Sequence, residues 1–304
     1  MAVGPYGALL ESVRGVRWPA RHSVAGGAPG AHAARSRGVA TEFVEYRPYR
    51  QGDDPKRIDW KLLARSDRAF IRLAPDRAVL GTLVLVDASA SMDFPRVAHA
   101  SSARSTSARS TNARSTNARS KWRCAREIAV GCVAIAHAGA DPVGLAVVGG
   151  GGVARLTPRT RRGVVAEAAR TIDAVTPSGT AALEQGFVGA PARVLVVTDC
   201  LGDVDLLVNT ARAHVAGGGE VFVAHVVSRG ELDPAAGAQL AVDPEDPMMQ
   251  RPLTKETRSA YTAAFAAWRQ DTARRWRDAG VGYAEICDDE PMDVAIRHIV
   301  APVA

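Results

Sequence analysis

The 304-residue chain is 47% hydrophobic and 23% charged, which excludes a disordered polymer and supplies core for one large or two modest globular units. Its net charge of +6 lies towards the amino terminus, with 14 basic and 8 acidic side chains in residues 1–80 against 19 and 22 in residues 121–304. Four cysteines without a Cys-x-x-Cys pair, and no apolar run of the roughly 18–20 residues a bilayer requires, argue against a zinc ribbon, a disulfide scaffold and a membrane span, so the cytoplasm is the expected compartment.

Residues 1–40 are rich in Gly, Ala and Arg, with Pro5, Pro19 and Pro29, and read as a flexible amino-terminal arm in which only Tyr6 to Val16 suits a short helix. Order is expected from residue 41. Thr41 to Tyr49 has the β-branched and aromatic content of a strand, ended by Pro48. A turn follows at Gln51 to Pro55, then a short helical segment, Pro55 to Asp67, whose charges pair locally, and a second strand, Ala69 to Leu73. Residues 41–78 thus form a small β-containing lobe ahead of a larger domain, residues 79–304.

That domain opens on Val79 to Met92. Its first eight residues carry no charge and read as a strand buried on both faces, because a half-exposed strand alternates apolar with polar. Asp87, Ser89 and Ser91 follow at intervals of two, placing a carboxylate and two hydroxyls at the carboxyl end of the strand, where open α/β sheets hold ligands. Hard oxygens in such a cluster suit a cation of the Mg²⁺ type.

From Ala103 the chain repeats Ala-Arg-Ser-Thr-Ser/Asn as far as Ser120, without one large apolar side chain; the segment 101–120 is expected to be a disordered insert. Trp122, Ala125, Ala129, Cys132 and Ala136 then fall at helical spacing up to Gly139. Val143 to Val148 and Val153 to Leu156 read as strands joined by a hairpin at Gly149 to Gly152, a glycine run that lacks the Lys of a phosphate loop. Arg161 to Val175 is a predicted helix, and Ser178 or Thr180 is placed to cap another near Ala181. A strand over Val194 to Thr198 ends on Asp199. Helix Asp203 to Ala216 and strand Val221 to Val227 follow, then a Pro- and Asp-rich loop over 229–253. A long helix over 256–279, with Tyr261, Phe265, Trp268, Thr272 and Trp276 on one stripe, a strand over Gly282 to Ile286 and a helix over Met292 to Val300 complete the chain. Buried strands alternating with amphipathic helices predict an α/β fold, a doubly wound and mostly parallel sheet.

On such a sheet Asp87, Ser89, Ser91 and Asp199 reach one edge on strand ends, and Thr180 on a neighbouring loop. The order Asp-x-Ser-x-Ser, then Thr, then Asp resembles the metal-ion-dependent adhesion site (MIDAS) of von Willebrand factor A domains. Glu42-Phe43, Glu45-Tyr46-Arg47, Gly52 to Lys61 and Ala64-Arg65 resemble the signature of domain-of-unknown-function family fifty-eight (DUF58), whose members place it ahead of a von Willebrand factor A-like domain. The resemblance implies that the hydroxyls of Ser89, Ser91 and Thr180 bind Mg²⁺ (or Mn²⁺ or Ca²⁺) directly and that Asp87 and Asp199 often act through water. It further implies that an open coordination position accepts a Glu or Asp from a protein partner, and that a MoxR-type AAA ATPase acts with the protein in assembling or maturing protein complexes. A non-enzymatic binding module is the expectation. Two alternatives stand beside it: a metal-dependent phosphotransferase or hydrolase with Asp87 as nucleophile or base and His99 or Cys200 as helpers, and a nucleic-acid binder using Arg104, Arg109, Arg114 and Arg119.

Overall fold

The structure is a computed structural model describing residues 4–21, 29–33, 45–51, 53, 55, 58–73, 77–95, 119–235, 240–242 and 248–301. The repeat up to position 118, with His99, Arg104, Arg109 and Arg114, lies outside the described residues. So do Glu42, Phe43, Gly52, Asp54, Lys56 and Arg57 of the family signature.

In chain order the elements are α1 (Gly7–Ser12), β1 (Pro29–Ala33), β2 (Glu45–Pro48), α2 (Trp60–Ser66), β3 (Phe70–Leu73), β4 (Arg77–Ala78) and β5 (Thr82–Ala88). Next come α3 (Lys121–Ala138), β6 (Val143–Gly149), β7 (Gly152–Arg159), α4 (Val164–Asp173), β8 (Arg193–Thr198), α5 (Val204–Ala216) and β9 (Glu220–Val227). The chain ends with α6 (Arg229–Leu232), β10 (Leu240–Val242), β11 (Gln250–Pro252), α7 (Lys255–Asp278), β12 (Gly282–Cys287) and α8 (Met292–Val300).

Six strands make the central sheet in the order β12-β9-β8-β5-β6-β7, parallel throughout except for the hairpin partner β7. Every residue of β5, β8 and β9 is buried, as largely apolar strands covered on both faces require. Alternation along β5 divides the core. Val84 and Val86 pack with α3, α4 and α8, while Leu83 and Leu85 face the cluster that includes α5 and Trp276 of α7. From β5 the chain runs outward through β6 and β7, then returns to β8 on the other side and continues outward. The strand order therefore reverses between β5 and β8, and their carboxyl ends diverge into a crevice.

The described residues between 45 and 73 are held by local pairing. β2 lies antiparallel to β3, and Asp59 caps α2 by accepting from the backbone N–H groups of Lys61 and Leu62, at 3.1 Å each, and from the Tyr46 hydroxyl at 2.8 Å. Arg47 pairs with Asp53 at 2.7 Å.

Three expectations need correction. The first concerns part of the arm only, residues 4–21, which hold the expected short helix and dock against the sheet and its helices. Tyr6, Val13 and Trp18 are buried, the Trp18 ring meets Phe222 edge-on at 5.8 Å, and the Tyr6 hydroxyl donates to Asp173 at 2.5 Å. Gly, Ala and Arg abundance hid three large side chains that cover one end of the core. Second, the 229–253 loop contains α6, whose Ser228 and Glu231 form a capping box, and the antiparallel pair β10 and β11. Third, neither Ser178 nor Thr180 caps a helix. A 3₁₀ turn over Leu183–Phe187 stands there, entered at Ala182 without a side-chain cap. Tyr6→Phe is expected to cost about 1–2 kcal/mol in urea unfolding, the loss of a hydrogen bond to a carboxylate; no change would show the arm contributes nothing to stability. Among the described residues no helix is long and apolar enough to cross a membrane.

Candidate metal site at the sheet crevice

Strand β5 carries Asp87 into the crevice almost fully buried, and the chain turns at once. The Ser89 N–H donates to one Asp87 carboxylate oxygen at 2.8 Å, and the Thr198 hydroxyl of β8 donates to the other at 2.7 Å. The hydroxyls of Ser89 and Ser91 lie 3.0 Å apart, with Ser91 held in a 3₁₀ turn over Ala90–Asp93. Asp87, Ser89 and Ser91 are thus one cluster, bonded from both strands flanking the crevice.

Thr180 arrives from a distant part of the chain, on a loop stitched down by its backbone. Ala90 N–H donates to Gly179 O at 2.9 Å, Ser178 N–H to Ala88 O at 2.9 Å, and Gly150 N–H to Ser178 O at 2.7 Å. The glycine run read as a hairpin turn has this second use. A Cβ on Gly150 would stand 2.7 Å from Ser178 O, so only glycine lets the loop come this close. Asp87, Ser89, Thr180 and Thr198 share one cavity of about 410 Å³. Glu184 and Asp203 also line it, and Leu183, Leu206 and Leu207 form its apolar wall.

Asp199 has a different setting. It ends β8, where Cys200 adopts a positive φ of 58° that turns the chain sharply. One Asp199 carboxylate oxygen accepts from Leu201 N–H at 3.2 Å and the other from Lys121 Nζ at 2.8 Å. Lys121 is fully buried and also reaches Glu231 at 2.6 Å. Of the five predicted residues, the structure places Asp87, Ser89 and Thr180 on one cavity, Ser91 against Ser89 but off the cavity lining, and Asp199 in an ion pair with Lys121. Thr198, Lys121 and Glu231 were not anticipated. Thr198 was legible in the polar end of Val-Val-Thr-Asp, whereas nothing local marks Lys121 as buried.

Burial, and then the negative charge of Asp199, push the Asp87 carboxyl up to about 6, against the pull of its bonds from Thr198 and Ser89. Burial works against the charge of Lys121, but Asp199 and Glu231 together hold it above the ordinary lysine range. Asp87 therefore carries a charge that its surroundings do not offset. Each of its oxygens keeps acceptor capacity beyond the single bond it accepts, and a carboxylate with neighbouring hydroxyls is a donor set that suits a hard divalent cation. Burial raises the Cys200 thiol well above its usual range, and lowers His225 to about 4.

Similarity to known proteins can now be set beside this geometry. The family model described as "Protein of unknown function DUF58" matches residues 45–271. An uncharacterized protein of Mycobacterium tuberculosis is 25% identical over 309 residues, covering 96% of this chain and 89% of that protein, and one of Mycobacterium bovis matches to the same extent. Among solved structures, the conserved hypothetical protein BatB from Bacteroides thetaiotaomicron superimposes with a TM-score of 0.42 at 16% identity, covering 73% of this chain and 97% of that one. The SpRpn10 VWA domain gives 0.39 at 11% identity, over 72% and 94%.

Proposed function

The chain belongs to the DUF58 family, and on that premise we propose that it is a protein-binding module whose contact with its partner runs through a divalent cation at the β5–β8 crevice. The observation that carries this reading is the gathering of Asp87, Ser89, Ser91 and Thr180, from two separate stretches of chain, around the strand-order reversal. In the proposed site Asp87 supplies charge and the three hydroxyls supply neutral oxygens. A cation held mainly by neutral oxygens keeps much of its positive charge and has an affinity for a further carboxylate.

The residues of this chain then act by position. Thr198 and Ser89 N–H fix the Asp87 carboxylate, and the Gly150 and Ala90 amides fix the Thr180 loop. Without a cation, Asp87, Glu184 and Asp203 make the cavity acidic and repel the same carboxylate that the cation attracts, which makes the contact conditional on metal. We take the partner to belong to the machinery of a MoxR-type AAA ATPase, as the family resemblance implies, and the activity to be assembly or maturation of protein complexes without turnover at this site. Cys200 is an unsuitable nucleophile with burial holding its proton, and His225 is enclosed by Trp268 and Tyr283. The nucleic-acid alternative rests on the basic first half of the chain, on Arg104, Arg109 and Arg114, which lie outside the described residues, and on Arg119, which pairs with Glu127 at 3.3 Å.

Calorimetric titration with Mg²⁺ and Mn²⁺ is expected to give a single binding event in wild type that Asp87→Ala abolishes. Equal affinity in both proteins would sink the assignment. Capture of a carboxylate-bearing partner should fail equally with chelator and with Asp87→Ala. Gly150→Ala, which pushes the Thr180 loop away, should weaken the cation roughly tenfold while costing only about 1–3 kcal/mol of stability; unchanged affinity would remove Thr180 from the ligand set.

A further inference from the structure

We infer, on the reading that Asp87 and its neighbours hold a cation, that Lys121 is a fixed counter-charge that withholds Asp199 from the ion and so keeps divalent affinity low. Lys121 is the first residue of α3, behind the Ser120 cap that accepts from Arg123 N–H at 3.2 Å. A cation in the first turn opposes the helix dipole, so helix formation does not account for a lysine there. Its side chain is fully buried, with Nζ 2.8 Å from Asp199, 2.6 Å from Glu231 and 5.8 Å from the centre of the Phe94 ring. Burying an ammonium is costly unless it is paired, and here two carboxylates pair it.

The crevice is thereby split into two halves. Asp87, Ser89 and Thr180 line the cavity; Lys121, Asp199 and Glu231, like Ser91, are not part of its lining, and of these only Asp199 and Glu231 are tied to the ammonium. Glu231 is anchored independently, its second oxygen accepting from Ser228 N–H at 2.8 Å, while the Ser228 hydroxyl donates to Asp288 at 2.5 Å. The ammonium is consequently held from both sides and cannot follow Asp199 towards an ion. A cation entering the cavity meets one unshared carboxylate, Asp87, and a second already neutralised. A weakly neutralised ion is also the one that best attracts a carboxylate from outside.

Lys121→Met keeps the stem and removes the charge, and Glu231→Gln added to it leaves no second buried carboxylate unpaired. The double variant is expected to bind Mg²⁺ and Mn²⁺ at least roughly tenfold more tightly than wild type by calorimetry, as one freed carboxylate near the ion implies. Adding Asp199→Asn should return the affinity to about the wild-type value. Folded double-variant protein with equal or weaker affinity would overturn the role of Lys121. Absence of binding in both wild type and double variant would instead overturn the cation site. Wild-type protein supplies an independent check should the double variant not fold. The Lys121 ammonium, observed by ¹⁵N NMR, should keep slow hydrogen exchange at saturating Mg²⁺, and exchange that becomes fast on metal binding would show that Asp199 leaves the lysine, contrary to the inference.

Discussion

Asp87→Asn is expected to melt at a higher temperature than wild type at pH 7 in the presence of chelator. The native carboxyl sits at about 6 against an ordinary 3.8, so between these values the folded state binds more protons than the unfolded one. The contribution of this group is then fully present below about pH 4 and is lost as pH rises to about 6, and the buried charge costs about 2–3 kcal/mol at neutrality. Asparagine keeps an oxygen for the Ser89 N–H and turns its amide to the Thr198 hydroxyl, which has acceptor capacity left beside its bond from Cys200 N–H at 3.0 Å. Removing the charge should therefore raise the melting temperature by roughly 3–5 °C. The gap should close below pH 4, where wild-type Asp87 is itself neutral.

Mg²⁺ should remove the variant's advantage. Ion at a hundred times its dissociation constant stabilises wild type by about 2.7 kcal/mol and leaves the asparagine variant nearly unchanged. Scanning calorimetry of both proteins, with chelator and with Mg²⁺ across pH 4–8, reads all of this. An asparagine variant less stable than wild type in chelator, or a difference that does not depend on pH, would show that Asp87 carries no uncompensated charge. The crevice is thus expected to trade stability for binding, since the same buried carboxylate destabilises the empty fold and provides the charge for the ion.

How much of this was legible depended on whether the signal was local. The parallel strands announce themselves because burial on two faces removes polar alternation, and β5, β8 and β9 are uncharged over most of their length. Asp87, Ser89 and Ser91 are contiguous, so strand and loop could be read together. Thr180 was found through the order of the motif, but the reason it can approach, glycine at position 150, emerges only when two loops are seen in contact. The setting of Asp199 was not legible at all, because its partner Lys121 lies 78 residues earlier and a lysine opening a helix normally faces water. The docked arm was missed for a related reason. Composition averages over residues 1–40, while docking depends on Tyr6, Val13 and Trp18 alone.

At the opposite end of the sheet Arg193 should prove the most sensitive single position for stability. It opens β8 fully buried, donating to Glu220 at 3.2 Å and to the carbonyls of Trp18 at 3.2 Å and Pro19 at 2.8 Å, with its guanidinium 4.7 Å from the Trp18 ring centre. Asp141, 4.0 Å away, accepts from Leu80 N–H at 3.0 Å just ahead of β5. One guanidinium therefore ties the docked arm, β8, β9 and the entry to β5 together. Arg193→Met takes the guanidinium from Glu220, which keeps the Arg21 N–H at 2.5 Å, and from Asp141, which keeps the Leu80 N–H, and should cost about 3 kcal/mol, as removal of one partner from a buried ion pair does. Adding Glu220→Gln should recover part of that loss. Trypsin is expected to cut at Arg14 or Arg17 in the native variant faster than in wild type, because the carbonyls anchoring the arm lose their donor. Mg²⁺ affinity should not change, since Arg193 and the crevice lie at opposite ends of the same strand. A loss below about 1 kcal/mol in urea unfolding would show that the guanidinium is not the clasp of the arm. Weakened Mg²⁺ binding in a variant that remains folded would show that the two edges of the sheet are coupled, and the separation of a stability edge from a binding edge would have to be abandoned.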